Sequence, residues 1–290
     1  IHDRTQQYHG FAYLEDILDS NSRITAILGT SHDQFEIPNN PGQIPSYIVN
    51  GQSVFNSASL DEGQREITHY GILSYQRVDG NLDSQISVFG RYSSLNFRPD
   101  PVGDLMFDGI AQQAFKKDVA FGVQAEAAYH LGDAHTLRGG IILQSERATS
   151  RTTSQVLPAN CAGAGTFAAP FDCAQYSGDP ASSDYNPNWD VPMSVIDNGA
   201  KTQNTYSAYL QDEWKVFDTL TINYGLRYDS YRAYAKENQL SPRINVVWQP
   251  ADGTTIHAGY SRFFTPPPFE NIGTESVMSF LHTTASPAIT

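Results

Sequence analysis

The two cysteines are a residue pair whose type and spacing suggest chemistry. Cys161 and Cys173 are separated by eleven residues in a stretch rich in Gly, Ala, Ser and Pro. An even cysteine count in a loop outside the cytosol predicts a disulfide, which in the chain-entropy model stabilises such a closure by about 3 kcal/mol. Two free thiols are the alternative. Zinc is not expected, because no His or second Cys pair lies nearby in the sequence.

The same stretch, residues 153–200, contains no Lys or Arg. Its acidic residues are Asp172, Asp179, Asp184, Asp190 and Asp197. Such a run is ordinarily a solvated face. The alternative is a calcium site, because calcium accepts flexible sets of carboxylate and carbonyl oxygens and would order a long loop. No other cofactor is expected, and the negative charge disfavours capture of a highly anionic ligand by this loop.

Catalytic chemistry is not expected. The sequence has no Gly-x-Ser-x-Gly nucleophile elbow, no His-Glu-x-x-His zinc-protease motif and no phosphate-binding loop. Asp212 and Glu213 invite comparison with glycosidase carboxylates, but adjacent strand residues face opposite sides and cannot flank one bond. His130 and His135 flank a short turn, where solvation is a simpler explanation than a metal pair. We therefore predict no catalytic and no metal-binding residues.

The elements that carry these residues follow from hydrophobic alternation. Apolar side chains occupy most even positions from Tyr206 to Val216, and polar side chains occupy the odd positions. This period is typical of strands with one apolar and one polar face. The same pattern recurs along the chain, with short polar turns at 19–21, 79–81, 132–135, 217–219 and 251–253. The sequence thus predicts about ten strands arranged as five hairpins.

Long connections alternate with these short turns. They cover approximately 37–65, 98–117 and 153–201, whereas the link near 235–240 is short. Alternation this long exceeds the about 5–6 residues usual in soluble sheets and fits the about 9–11 that cross a bilayer. Short turns on one side and long loops on the other are typical of transmembrane barrels. We predict an all-β, antiparallel up-and-down transmembrane β-barrel; a secreted β-sandwich or propeller is the alternative.

Composition and charge narrow the function. The chain has 290 residues, with 18 Lys and Arg against 31 Asp and Glu, a net charge of −13. Nucleic acid is therefore not an expected partner, because such binding needs a basic surface. No apolar run approaches the about 18 residues of a membrane helix, and the first residues lack the basic and apolar regions of a signal peptide.

Four segments resemble consecutive barrel strands of the TonB-dependent receptors of Gram-negative outer membranes. They are 209–215 (YLQDEWK), 220–229 (LTINYGLRYD), 240–248 (LSPRINVVW) and 257–266 (HAGYSRFFTP). The resemblance is strong over about 203–270 and merely consistent over 8–150. It implies a 22-stranded barrel, an N-terminal plug domain in the lumen, and uptake of a scarce ligand powered by the inner-membrane TonB complex.

The chain departs from the full family pattern, because no plug, no TonB-contacting segment and no terminal aromatic strand are visible. We expect residues 1–290 to be a partial barrel domain of about ten strands, whose first and last strands are unpaired edges. The predicted protein is an outer-membrane receptor that imports a nutrient, with a ferric siderophore as the family's commonest cargo. Its expected partners are the TonB complex through the absent plug, a small-molecule ligand and outer-membrane lipid. A passive porin and a carbohydrate-binding sandwich or propeller are the alternatives.

Recognition residues follow from this fold. The polar face is predicted to line the lumen through Glu126, Arg138, Gln144, Glu146, Gln211, Glu213, Asn223, Arg227, Asp229, Arg243, Asn245 and His257. Ligand contact is expected in the longest loop, where the aromatic residues Tyr176, Tyr185 and Trp189 would make low-entropy contact surface. Asp212 conflicts with the pattern, because it interrupts an apolar face. Either the nearby turn projects below the membrane, or a bulge changes its face.

Overall fold

A computed structural model of the chain describes residues 2–162, 172–265 and 277–286. In chain order its main elements are β1 (Thr5–Ile17), β2 (Ser22–Glu36), β3 (Gly63–Asp79), β4 (Leu82–Arg98), α1 (Gly103–Asp108), β5 (Ile110–Leu131), β6 (His135–Val156), β7 (Ala159–Ala162), β8 (Asp172–Gln175), β9 (Met193–Phe217), β10 (Leu220–Arg232), β11 (Lys236–Ala251) and β12 (Thr254–Ser261). Short 3-10 turns occupy Ser57–Ser59 and Val277–Phe280. Within the described ranges, no helix has the length and hydrophobicity needed to cross a membrane.

Most of the strands form one antiparallel meander. In the part of the chain that the structure describes, ten strands pair in the order β1-β2-β3-β4-β5-β6-β9-β10-β11-β12, and β7 pairs only with β8. The turns that join the two strands of each hairpin fall at the five predicted positions. The predicted ten strands and five hairpins are thus confirmed. The edges of this sheet, as far as it is described, are β1 and β12.

The strands extend further into the predicted loops than the alternation indicates. β5 begins at Ile110, inside the predicted loop 98–117. β6 ends at Val156 and β9 begins at Met193, and both positions lie inside the predicted loop 153–201. The ladder between β5 and β6 runs unbroken to the pair Ile110 and Val156. Backbone pairing satisfies N–H and C=O groups whatever the side chains are, so the ladder continues after the alternation fades. The short link lies at 233–235, slightly before its predicted position.

One face of the sheet is apolar and uncovered. Directly paired residues share a face, and the register aligns Ala125 with Ile141 and Ile141 with Ala208. Large side chains on this face are exposed, including Leu73, Val88, Leu143, Leu210, Leu226 and Ile244. Among the described residues no second sheet packs over them. The sandwich and propeller alternatives are therefore wrong, because both would bury this face in a shared core.

The width of the apolar face fits a bilayer. On β9, Trp214 and Tyr206 lie on this face near its two borders, and both side chains are partly exposed. Eight residue steps separate them, which span about 21 Å for a strand rising ~3.4 Å per residue with a tilt of ~40°. Aromatic girdles border an apolar band of about 25 Å in membrane barrels. The spacing of these two residues agrees with that height.

The opposite face is polar and carries every residue predicted to line the lumen. The register places Arg138 opposite Gln211, and Glu213 opposite Asn223. The remaining members of the set follow the same parity on their strands: Glu126, Gln144, Glu146, Arg227, Asp229, Arg243, Asn245 and His257. The structure shows that these residues share one face of the sheet. That this face lines a lumen stays a prediction.

Asp212 keeps its place on the apolar face. It lies opposite Tyr224 on β10, and the register shift of this hairpin falls between Leu220 and Thr221, nearer to the turn. The bulge therefore does not move Asp212 to the other face. The carboxylate is partnered locally instead: His135 Nδ1 lies 2.7 Å away and the Tyr224 hydroxyl 3.0 Å away.

The long connections pack together at one end of the sheet. We call this assembly the cap and define it by the described residues of 37–62, 99–109, 157–192 and 277–286. Its small hydrophobic core is formed by Val49, Leu105, Met106 and Leu157, together with Ala111 at the start of β5. Backbone bonds tie the segments to one another. The N–H groups of Ser46 and Tyr47 donate to the Met106 carbonyl, and the N–H of Thr284 donates to the Leu157 carbonyl.

Candidate ligand-binding site on the polar face

A cavity of about 270 Å³ opens on the polar face near the long-loop end of β3 to β6. Its lining includes charged and hydroxyl side chains of Glu66, Thr68, Arg91, Ser93, Lys116 and Asp118. Polar groups that converge in a concave surface are the usual features of a small-molecule site. We take this cavity as the candidate binding site of the chain.

Arg91 is the central charge of the cavity. Its Nη2 lies 3.3 Å from an Asp118 oxygen and 3.2 Å from a Glu146 oxygen. Arg91 lies opposite Ala120, which in turn lies opposite Glu146. Because the alanine methyl is short, the guanidinium reaches across an intervening strand to the carboxylate of the next one. The two carboxylates hold the arginine in place over the cavity.

Several polar atoms around this cluster are unpartnered. Asp118 Oδ1, Gln203 Oε1 and the Tyr231 hydroxyl are buried and have no hydrogen-bond partner within the described ranges. Gln203 lies directly opposite Glu146 in the register, and Tyr231 is 1% exposed. Buried polar atoms in folded proteins are nearly always hydrogen-bonded. This patch therefore retains hydrogen-bonding capacity for a bound molecule or for a further segment of the protein.

A second cavity, of about 370 Å³, lies on the polar face toward the short turns. Two of the predicted lumen residues, Glu126 and Arg138, line it together with Tyr209. The Tyr209 ring lies across Gly140, where a Cβ atom would approach ring carbon Cε1 to 2.6 Å. The absence of a side chain at Gly140 is thus what lets the ring lie flat against the strand. Arg138 also bonds Glu213 at 3.1 Å, so its charge is already partnered.

The aromatic residues predicted to contact ligand lie in the cap, between β8 and β9. Trp189 packs on Gly178, and its carbonyl accepts from the Gln175 side chain at 3.1 Å. Tyr185 is exposed, and Tyr176 is partly buried. None of the three lines either cavity of the polar face described above. Their contact with a ligand stays a prediction.

The predicted cysteine pair forms a disulfide in the structure. Cys161 on β7 lies opposite Cys173 on β8. The acidic residues of the same segment have separate roles: Asp190 accepts from the Gly51 N–H at 2.6 Å, and Asp179 accepts from the Ala181 N–H at 2.9 Å. Asp184 accepts from the Ser182 hydroxyl, Asp197 lies in β9, and the side chain of Asp172 lies outside the described residues.

The described carboxylates of this segment do not gather into a metal centre. Among the residues whose positions are described, no three His, Cys, Asp or Glu side chains converge to hold a metal ion. The two turn histidines also separate, because His130 bonds Asp83 at 3.2 Å while His135 bonds Asp212. The calcium site in the acidic loop stays a prediction without support from the described side chains.

The cap instead contains an acidic cluster that the sequence analysis missed. Asp104 is 7% exposed and lies near Glu62, Asp100 and Asp108. Burial raises the pKa of Asp104 to about 8, and the neighbouring Glu62 carboxylate adds to this rise. Burial likewise raises the pKa of Glu62. The i, i+4, i+8 spacing of the three aspartates was the available signal, and α1 places Asp104 at the buried position.

Arg91, Lys116 and Asp118 are further residues absent from the predicted set. Lys116 and Asp118 fall in a stretch assigned to a loop or to its border, although they belong to β5. Arg91 has the parity of Gln85, Ser87 and Phe89 on β4, and the phenyl group at position 89 obscures the polar pattern there. Extending β5 to Ile110 places Lys116 and Asp118 on the polar face, and the register with β4 brings Arg91 beside them.

Comparison with known proteins places the chain in a family. The family model for the β-barrel of TonB dependent receptor-like proteins matches residues 124–289. A comparison with curated proteins found no match. Members of the matched family are transport receptors and not enzymes, which agrees with the expectation that the chain carries out no catalytic chemistry.

Three solved structures of similar fold are named as receptors or transporters of ferric complexes. The ferric yersiniabactin uptake receptor FyuA from Yersinia pestis is 13% identical, with a TM-score of 0.59, over 88% of this chain and 37% of its own. The ferric citrate transporter FecA is 12% identical with a TM-score of 0.57, over 89% of this chain and 36% of its own. The ferripyoverdine receptor of the Pseudomonas aeruginosa outer membrane is 14% identical with a TM-score of 0.50, over 92% of this chain and 36% of its own.

At these identities the likeness concerns the fold, and this chain spans about a third of the length of the receptors it matches. The meander of long strands with one uncovered apolar face corresponds to a segment of their barrels. With the family match extending over more than half of the sequence, the chain belongs to the TonB dependent receptor-like β-barrel family.

Proposed function

We propose that this chain is part of an outer-membrane receptor of a Gram-negative bacterium that binds and imports a scarce nutrient. The proposed cargo is a ferric siderophore, and the proposed energy source is the TonB complex acting through a plug domain. The uncovered apolar face is the observation that carries this proposal. An exposed apolar face of this height is stable in contact with lipid, whereas in water it would drive aggregation.

The polar site supports a role in ligand recognition. Lys116 places a positive group beside hydroxyl side chains in one cavity at the long-loop end, where Arg91 lies between the carboxylates of Asp118 and Glu146. A ferric chelate with carboxylate or catecholate oxygens would find charge and hydrogen-bond donors at this position, in contrast to the acidic loop of the cap. The fold relatives named for ferric yersiniabactin, ferric citrate and ferripyoverdine make iron chelates the first cargo class to test.

The test is growth of the parent bacterium on single iron sources after deletion of the full gene. Ferric carboxylate, catecholate and hydroxamate chelates are each supplied as sole iron source. We expect loss of growth on at least one chelate, restoration by the wild-type gene, and no restoration when TonB is absent. Uptake of radioactive iron by an Arg91→Ala strain would fall on that chelate, whereas Arg77→Ala, at an exposed position beside a short turn, would not change it.

Two results would contradict the proposal. Unchanged growth on every chelate would contradict the proposal that the cargo is an iron chelate. Uptake that persists without TonB and rises linearly with ligand concentration would indicate the passive porin alternative, because a channel requires no energy input and does not saturate at low concentration.

A further inference from the structure

An aspartate and histidine pair lies on the apolar face, away from the polar site. His135 Nδ1 and the Tyr224 hydroxyl both bond the same oxygen of Asp212, at 2.7 and 3.0 Å. Asp212 is 6% exposed, and its other oxygen, Oδ1, is buried with no partner among the described residues. A carboxylate on the apolar face is unfavourable by up to a few kcal/mol at the bilayer centre but by only about 0–1 kcal/mol near the interface. The depth of the pair therefore decides which part of the lipid it meets.

Its position is the short-turn border of the apolar face. His135 is the first residue of β6, and the Trp214 ring stacks on its imidazole with centroids 5.6 Å apart. Tryptophan rings favour the membrane–water interface, where lipid headgroups lie. The pair is thus at the depth of the headgroups, where the principal anion is the phosphate diester of a phospholipid.

One nitrogen of His135 is available at this border. Nδ1 is engaged by Asp212, and Nε2 has no hydrogen-bond partner in the described part of the chain. The side chain is 33% exposed, whereas that of Asp212 is 7% exposed. A histidine that carries both ring protons donates from both nitrogens. In that form one proton is directed to the carboxylate and the other is a charge-assisted donor for a phosphate oxygen, whereas a neutral ring with its proton on Nδ1 presents only an acceptor at Nε2.

We propose that His135, positioned by Asp212, binds the phosphate diester of a phospholipid at the short-turn border of the sheet. The inference rests on the proposed function, because only a membrane-embedded chain presents this face to lipid. Trp214 packs beside the headgroup, and Asp212 fixes the orientation of the imidazole. The site would hold the short-turn end of these strands at a defined depth.

The same turn provides a matched control. His130 lies on the polar face and contacts Asp83, with Nε2 to Oδ2 at 3.2 Å. Both pairs therefore flank residues 132–134, one on each face of the sheet. Replacement of His130 removes the same chemical group at nearly the same height, but on the side that lipid does not reach.

The experiment is native mass spectrometry of the full-length protein, released from detergent after titration with phosphatidylglycerol, phosphatidylethanolamine or phosphate-free diacylglycerol. We expect His135→Gln and Asp212→Asn to weaken retention of the first phospholipid of either class about tenfold, the loss expected for one charge-assisted hydrogen bond. His130→Gln retains phospholipid as the wild type does, and diacylglycerol binds equally weakly to all four proteins.

Equal retention by the wild type and both His135→Gln and Asp212→Asn would overturn the site, as would an equal loss in His130→Gln. If only phosphatidylethanolamine is retained, the site binds the headgroup amine and the proposal is overturned. If equimolar inorganic phosphate displaces the lipid, the site binds the free anion, and the proposal is likewise overturned. Flotation of the wild type with vesicles is measured in parallel. Failure of the wild type to float would contradict the proposed function itself. Normal flotation together with unchanged lipid retention in His135→Gln and Asp212→Asn would contradict only this binding site.

Discussion

Gln175 and Ile48, which are 127 residues apart, are joined by two hydrogen bonds. The Gln175 amide donates to the Ile48 carbonyl at 2.6 Å and accepts from the Ile48 N–H at 3.0 Å. The side chain thus mimics a paired strand residue and satisfies both backbone groups of a loop residue. This contact joins the segment after the disulfide to the loop between β2 and β3.

Substitution Gln175→Ala should open this junction of the cap. Both backbone groups of Ile48 lose their partner, which costs about 1–3 kcal/mol when such groups stay buried. We expect hydrogen exchange at the Ile48 amide to accelerate at least about tenfold. The control is Gln155→Ala, since Gln155 bonds Ser194 at 2.7 Å in an exposed position. Unchanged protection at Ile48 in Gln175→Ala would show that the contact contributes nothing to the cap.

Removal of the disulfide should loosen the same junction from the other side. Cys161 and Cys173 are 12 residues apart in sequence, and Cys173 precedes Gln175 by two positions on β8. In the chain-entropy model a closure of this length stabilises the folded state by about 3 kcal/mol. We expect the double variant Cys161→Ser with Cys173→Ser to raise exchange at Ile48, while Ile141 in the main sheet keeps its protection. Equal loss at both amides would indicate global destabilisation instead.

The acidic cluster makes the stability of the cap depend on pH. The folded-state pKa of Asp104 is raised to about 8 by burial and by Glu62, so between its ordinary value and about 8 the folded state binds a proton that the unfolded state lacks. The stability contributed by this proton is present at low pH and is lost as the pH rises through about 8. Asp104→Asn should weaken the dependence, leaving the part due to Glu62, and protect the cap better than the wild type above about pH 8.

Exchange at the Tyr47 amide measures this opening, because that N–H donates to the Met106 carbonyl at 3.0 Å. Rates are corrected for intrinsic exchange at each pH. Asp61→Asn serves as the control: hydrogen bonding from Arg98 lowers the pKa of Asp61, so the stability that it contributes is lost only in acid. A cap whose corrected protection is constant between about pH 5 and about pH 9 would contradict the prediction.

The alternation of the sequence predicts the sheet well, because the face of a strand residue depends only on its parity. It places Arg227 and Asp229 on one face, where the structure pairs them. It does not predict the cap, whose core joins Val49, Met106 and Leu157 across long intervals. These contacts have no local period, since they depend on how separate connections meet beyond the sheet.

The polar site shows the same division. Gln144 and Glu146 follow from the period of β6, but the charge that organises the cluster, Arg91, comes from β4 and reaches Glu146 over Ala120. Likewise, the partner of Asp212 is His135, 77 residues earlier. Register between strands, and not the pattern within one strand, decides which charges meet. A single sequence shows the pattern within each strand directly but the register between strands only indirectly.

Asp229 tests whether the polar face also contributes stability. It is 4% exposed, accepts from the Ser207 hydroxyl at 2.6 Å and from Arg227 Nε at 2.9 Å. Asp229→Ala leaves a buried hydroxyl and a guanidinium without their acceptor, so we expect the free energy of unfolding to fall by about 2–3 kcal/mol. The measurement is urea unfolding of the full-length protein in lipid vesicles, followed by tryptophan fluorescence.

The matched control is Asp79→Ala at the turn between β3 and β4. Arg77 and Asp79 are 3.7 Å apart, with side chains 45% and 68% exposed, and such pairs contribute about 0–1 kcal/mol because solvent screens them. The two variants remove the same group from an Arg–Asp pair at the same i, i+2 spacing. If they lower the free energy of unfolding equally, burial of Asp229 has no energetic consequence; a difference of about 2 kcal/mol assigns that consequence to the buried hydrogen bonds.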